Sequence, residues 1–165
     1  MVDIGKILVI CANGDKPINK NKTLTLIGQL LTPKYLDINK VYELISVNPD
    51  EVKDSLVYDK HLTAYFGKDP IPDMGTYDAI ILQNCMTCLK TDLSFLKIPG
   101  IIGIIKDTLN KNGLFINNTS CYWDNTKDLK QDFLSNGFFF YGTILDTQRV
   151  IQGREPNKLD VLKKI

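Results

Sequence analysis

The chain has little histidine, arginine or tryptophan and almost no excess charge. Histidine occurs once, at His61, tryptophan once, at Trp123, and arginine only at Arg149 and Arg154, so lysine carries nearly all the positive charge. Asparagine is abundant, and with the lysine bias this reads as an AT-rich coding genome rather than a functional signal. A formal net charge of +1 gives no reason to expect non-specific nucleic-acid binding, and nucleic acid is not indicated as a partner. The one histidine precedes a short strand and reads as a surface residue, so no strong general base is in view. No apolar run reaches the roughly 20 residues of a membrane span. No charged start followed by an apolar run and small-residue cleavage site marks a signal peptide. The expectation is a cytoplasmic protein with reduced thiols and no membrane partner, in which the sequons at Asn21, Asn117 and Asn118 mean little. There is no internal repeat and no low-complexity segment.

Cysteine is present in an incomplete pattern. Cys11, Cys85, Cys88 and Cys121 all fall at or just past the carboxyl ends of strands. Four converging thiols could hold zinc or an iron–sulfur cluster, but the single Cys-x2-Cys has no second pair at fixed spacing. They read as small apolar residues packed at strand ends, and no metal is expected. The flanks of Cys85 and Cys88 do not resemble a redox motif.

At 165 residues and 44% hydrophobic, the chain has the apolar material for one domain spanning 1–165. Its organising stretch is Thr76 to Ser120. Ala79-Ile80-Ile81-Leu82 is a short β-branched run with no polar break, the pattern of a strand buried on both faces; Leu114-Phe115-Ile116 reads the same way. Between them Ile101, Ile102, Ile104, Ile105 and Leu109 fall at helical spacing, with Pro99 suited to a first turn. Asn112-Gly113 supplies a left-handed residue to end the helix and turn into the next strand. This is a β-α-β unit.

Upstream, Lys6 to Ile10 is a first strand, Cys11 to Asp15 a turn, Lys16 to Lys22 a polar loop, and Thr23 to Leu31 a helix stopped by Pro33. Val41 to Val47 is a second strand, with a short helix begun by Pro49 or Asp50 and running through Leu56. Leu62 to Phe66 is a short third strand and Gly67 to Gly75 a loop. Downstream come a helix from about Asn125 to Ser135, ended by Asn136-Gly137, and an aromatic-rich strand from Phe138 to Leu145. A turn at Asp146-Thr147 leads to an antiparallel strand at Gln148 to Arg154, and Leu159 to Ile165 forms a last helical turn. Such alternation predicts an α/β three-layer sandwich with right-handed crossovers.

Three motifs resemble the class I S-adenosylmethionine (SAM)-dependent methyltransferases: the Tyr77-Asp78-Ala79-Ile80-Ile81 strand, the turn Leu109-Asn110-Lys111-Asn112-Gly113-Leu114, and Ser135-Asn136-Gly137-Phe138 leading into the aromatic strand. As an order of elements the resemblance covers nearly the whole chain. It implies a mostly parallel seven-stranded sheet with one antiparallel strand near the C-terminus, and SAM as cofactor. Ligands of such sheets bind beyond the carboxyl ends of the strands, where strand order reverses. The resemblance then implies that Ala12, Asn13 and Gly14 lie under the methionine end. Asn48 or Asp50 would accept from the ribose hydroxyls, Asp69 from the adenine amine, and Gln83 and Asn84, after the fourth strand, would also bind the cofactor.

Where the family has a glycine-rich turn, this chain keeps Gly14, while Ile10 and Ala12 occupy glycine positions. Asp50 equally suits a helix N-cap, and Asp69 an ordinary Asp-Pro turn. The segment Gln83-Asn84-Cys85-Met86 lacks the Asp/Asn-Pro-Pro-aromatic motif of amino-methylating members, which argues against base or glutamine N-methylation. Tyr122 and Trp123 either stack on a substrate or cover the end of the sheet. No catalytic residue can be named.

Three readings remain at this level. The first is a methyltransferase with an unidentified acceptor. The second is a non-catalytic module of the same fold that has lost SAM and binds a protein partner. The third is a flavodoxin-like, amidotransferase-type domain.

Overall fold

Unbroken β-branched runs become strands buried on both faces. The computed structural model describes residues 3–10, 17–48, 58–82, 98–117, 133–146, 153 and 157–165. In it, Ile7 to Ile10 of β1 (Ile4–Ile10) and Ala79 to Leu82 of β4 (Tyr77–Leu82) are at most 1% exposed. They form the centre of a seven-stranded sheet with β2 (Val41–Asn48), β3 (Lys60–Thr63), β5 (Leu109–Asn117), β6 (Phe138–Asp146) and β7 (Asn157–Lys164), in the order β3-β2-β1-β4-β5-β7-β6. Every neighbouring pair from β3 to β5 is parallel, whereas β7 runs antiparallel to both β5 and β6. The mixed sheet expected from the sequence is thus present. A flavodoxin-like sheet would run 2-1-3-4-5, so that alternative is excluded.

Because side chains alternate along a strand, the central strands feed two separate cores. Ile7, Val9, Ala79, Ile81, Leu114 and Ile116 face Leu26 and Leu30 of α1 (Pro17–Leu30). Leu8, Ile10, Ile80, Leu82 and Phe115 face Ile102 and Ile105 of α2 (Ile98–Thr108). The second core is closed by Phe133, which stacks on Phe115 with ring centroids 4.9 Å apart and meets Phe138 edge-on at 5.3 Å.

Four boundaries differ most from the sequence reading. Helix α1 begins at Pro17 rather than Thr23, because proline at a first helical position forfeits only an amide that has no intrahelical partner. Strand β3 spans Lys60–Thr63 rather than Leu62 to Phe66. Past Thr63 the chain curls, with Gly67 at φ 93° and the Tyr65 carbonyl accepting from Lys68 N and Asp69 N.

Helix α2 stops at Thr108, and Leu109 already pairs with Tyr77. The left-handed residue, Asn112 at φ 66°, therefore lies inside an irregular stretch of β5 rather than at the helix end. The largest correction concerns the last strand: Asn157–Lys164, expected from Leu159 onward as a helical turn, is the antiparallel strand between β5 and β6, while Gln148 to Arg154, apart from Gly153, lies outside the described residues. A strand inserted between two others must bury side chains on both faces. The Leu159-Asp160-Val161-Leu162 segment does so, with Leu159 and Val161 in one core and Leu162 in the other. The hairpin strands separate after the Asp146–Asn157 pair, so 147–156 connects them rather than a two-residue turn.

Candidate functional site

The carboxyl ends of five parallel strands finish side by side. Ile10 is level with Val47 of β2 and Leu82 of β4, Leu82 with Asn117, and Asn48 with Thr63. Adjacent strands lie about 4.8 Å apart, so the segments leaving β1, β2, β4 and β5 start from one continuous edge. From β1 the chain returns to β2 on one side, and from β4 it goes to β5 on the other. The strand order therefore reverses between β1 and β4, where open α/β sheets form a ligand crevice.

Of the eight candidate ligand-binding residues, Ala12, Asn13, Gly14, Asp50, Gln83 and Asn84 lie outside the described residues, as do Cys11, Cys85, Cys88, Cys121, Tyr122 and Trp123. Asn48 ends β2 at this edge.

Asp69 sits in the crossover from β3 to β4. One carboxylate oxygen, Oδ2, accepts the Tyr65 N–H at 2.9 Å, closing the Tyr65–Asp69 loop. Oδ1 has no partner among the described residues, and the side chain is exposed. Beside it a cavity of about 160 Å³ lies between Phe66, Ile71 and Met74 on one side and Ile104 and Thr108 on the other. Pockets for drug-sized ligands run to roughly 300–1,000 Å³, so this one is too small for a whole nucleoside.

Ile10, the bulky residue at a glycine position of the resembled motif, is 1% exposed and packs within the α2-side core alongside Leu82, Val47 and Phe66. Its side chain is directed into the protein rather than over the strand ends.

His61 is not the surface residue expected. It lies within β3, half-buried, with Nδ1 2.7 Å from the hydroxyl of Ser46, its lateral neighbour on β2. Ser46 is fully buried, so this pair joins β2 to β3 from within the sheet.

The strongest electrostatics among the described residues lie at the opposite, amino edge. Lys6 Nζ reaches Asp73 at 2.9 Å, and its hydrogen bond and charge hold that carboxyl below the usual carboxylate range. Lys60 pairs with Glu43 at 3.1 Å. Burial raises the Tyr77 phenol, whose hydroxyl donates to the Pro72 carbonyl. These groups tie β2 to β3 and the loop before β4 to β1 and β4, and do not join the carboxyl-edge crevice. Among the described residues no cluster of histidine, cysteine, aspartate or glutamate could hold a metal, and no helix is long and apolar enough to cross a membrane.

No family model matches the sequence, and no curated protein matches it significantly. Solved structures do match the fold. A 30S ribosomal A1408 methyltransferase from an uncultured bacterium superposes with a TM-score of 0.59 at 13% identity, over 98% of this chain and 88% of that one. The N-methyltransferase NodS from Bradyrhizobium japonicum superposes at 0.58 and 9% identity, over 99% and 87%. A TehB-like SAM-dependent methyltransferase from Corynebacterium glutamicum superposes at 0.55 and 11% identity, over 99% and 82%. At these identities the likeness establishes the fold: it is that of the class I methyltransferases, and the motif resemblance in the sequence is sound at that level.

Proposed function

We propose that this chain binds SAM and transfers its methyl group to an acceptor yet to be identified. The observation that carries the reading is the strand order β3-β2-β1-β4-β5-β7-β6 with β7 alone reversed, which brings the ends of β1, β2 and β4 together at one switch point. The cofactor supplies a methyl group activated on a sulfonium, and the chain's task is then mainly to bind and align. Asn48, which ends β2, or Asp50 beyond it would accept from ribose hydroxyls, and Oδ1 of Asp69 from the adenine amine. Ala12, Asn13 and Gly14 would let the backbone approach the methionine end, and Gln83 and Asn84 would complete the cofactor-binding set. Ile10 does not stand in the way, since its side chain belongs to the core. The same reading makes residues 1–165 a single domain and a three-layer α/β sandwich, supported by helices α1 and α2 lying in opposite cores.

Calorimetric titration with SAM and S-adenosylhomocysteine tests it. Wild-type protein should give saturable heat, and Gly14→Val should abolish it by placing a side chain in the ligand's path. Asp69→Ala should lose about 1–3 kcal/mol of binding free energy. Asp50→Ala should lower affinity if the residue contacts ribose, and only melting temperature if it caps a helix. No heat at millimolar SAM overturns the proposal. In that case the non-catalytic module with a protein partner, favoured by Ala12 at a glycine position, takes its place.

A further inference from the structure

A second cleft, of about 470 Å³, lies between the segment joining α1 to β2 and the β6–β7 hairpin, and Tyr35, Tyr141, Lys34 and Lys163 are among its lining residues. It does not share a lining residue with the carboxyl-edge crevice. β7 runs antiparallel, so Lys163 near its end lies level with Leu114 and Phe139, toward the amino edge of the sheet.

Three aromatic rings form a row here. Tyr35 meets Tyr141 edge-on with centroids 5.9 Å apart, and Phe139, 39% exposed, meets Tyr141 in the same manner at 5.9 Å. Two ammonium groups are interleaved with them, Lys163 Nζ 4.4 Å from the Tyr141 ring centroid and Lys34 Nζ 5.2 Å from that of Tyr35. Neither lysine has a carboxylate partner among the described residues. The one carboxylate in the lining, Asp37, is engaged by the Asn39 N–H at 2.9 Å. The chain makes room for this row: a side chain on Gly142 would run into the Tyr35 hydroxyl.

Two cations resting on rings instead of acids, beside partly exposed aromatics, have the chemistry of a site for a phosphate joined to a flat ring. On binding, each lysine would exchange a weak exposed cation–π contact for a charge-assisted hydrogen bond to phosphate oxygen, while a base stacks on the freed tyrosine or phenylalanine face.

We propose that the Lys34/Tyr35–Tyr141/Lys163 cleft binds a nucleotide unit, with its base on the aromatic row and its phosphate between the two ammonium groups. The unit is either a free nucleotide or part of a single strand. This site is independent of the SAM reading.

The test is fluorescence titration of the full chain at low salt with uridine monophosphate, adenosine monophosphate and a ten-residue oligouridylate. Wild-type protein should bind at least one probe. Mononucleotide binding would identify a free nucleotide as the ligand, and binding of the oligomer alone a single strand. The double variant Lys34→Gln/Lys163→Gln should weaken binding at least tenfold and flatten its salt dependence. Tyr141→Leu should weaken it about tenfold while leaving the salt dependence in place. Lys111→Gln, an exposed lysine on β5 outside the cleft, should change nothing, and the variants' melting temperatures confirm folding. Absence of binding to all three probes, or equal affinity in wild type and the double lysine variant, overturns the proposal.

Discussion

Asp78 of β4 accepts the Lys6 N–H of β1 at 2.9 Å and the Asn110 side-chain amide of β5 at 2.5 Å, so one carboxylate joins three strands. Asp78→Ala leaves partly buried donors without an acceptor, and the unfolding free energy measured in urea should fall by about 1–3 kcal/mol. Tyr58 makes a different point. Its ring is buried, its hydroxyl lies 3.4 Å from Thr23 Oγ1, and burial raises the phenol above its ordinary 10.0. The stabilisation from keeping it neutral is complete below pH 10 and is lost as pH rises through the folded-state value. Tyr58→Phe should therefore flatten the decline in melting temperature between pH 9 and 11, followed by circular dichroism. A variant that declines as steeply as wild type would show that another group governs alkaline unfolding.

At the scale of elements, side chains finish what backbone ladders leave open. β6 is an edge strand with no charged residue from Phe138 to Leu145, and Phe139, Phe140 and Leu145 are exposed. Such an edge invites pairing with other chains. Gln29 of α1 guards part of it: its amide nitrogen donates to the Leu145 carbonyl at 2.6 Å, and its oxygen accepts the Leu145 N–H at 2.9 Å, as a neighbouring strand would. Gln29→Ala should raise concentration-dependent association, read by light scattering, with a stability loss of about 1 kcal/mol. The end of α2 is served from afar. Lys164 Nζ on β7 donates to the carbonyls of Lys106 and Leu109 at 2.5 and 2.9 Å, placing a cation at the negative pole of the helix. Lys164→Met should cost roughly 1.5–3 kcal/mol, seen as a lower denaturation midpoint at unchanged slope.

For the whole molecule, β7 is the member on which the sheet closes. It separates β5 from β6, so without it β6 has no strand to pair with, and Leu159, Val161 and Leu162 are withdrawn from both cores. A chain ending at Asp146 should lose its cooperative thermal transition in circular dichroism and accumulate in the insoluble fraction. A truncated chain that melts cooperatively would mean that the parallel strands suffice alone.

Runs such as Ile7 to Ile10 and Ala79 to Leu82 declared themselves in the sequence because burial on both faces demands uninterrupted apolar residues. The crossover helix was equally legible from its spacing, and Tyr77-Asp78-Ala79 with its downstream turn pointed to the fold that the superpositions show. What local pattern could not reveal depends on partners distant in the chain. Leu159 to Ile165 reads locally as a helical tail, yet Val161 and Leu162 reach the two cores from a strand set between β5 and β6. His61 looked exposed until β3 came to lie beside Ser46. No spacing links Tyr35 to Tyr141 or Lys34 to Lys163. Residue order determines period and burial, because those act over a few residues. Strand order and the clefts between elements are decided by side-chain packing across the whole fold, which only the tertiary structure contains.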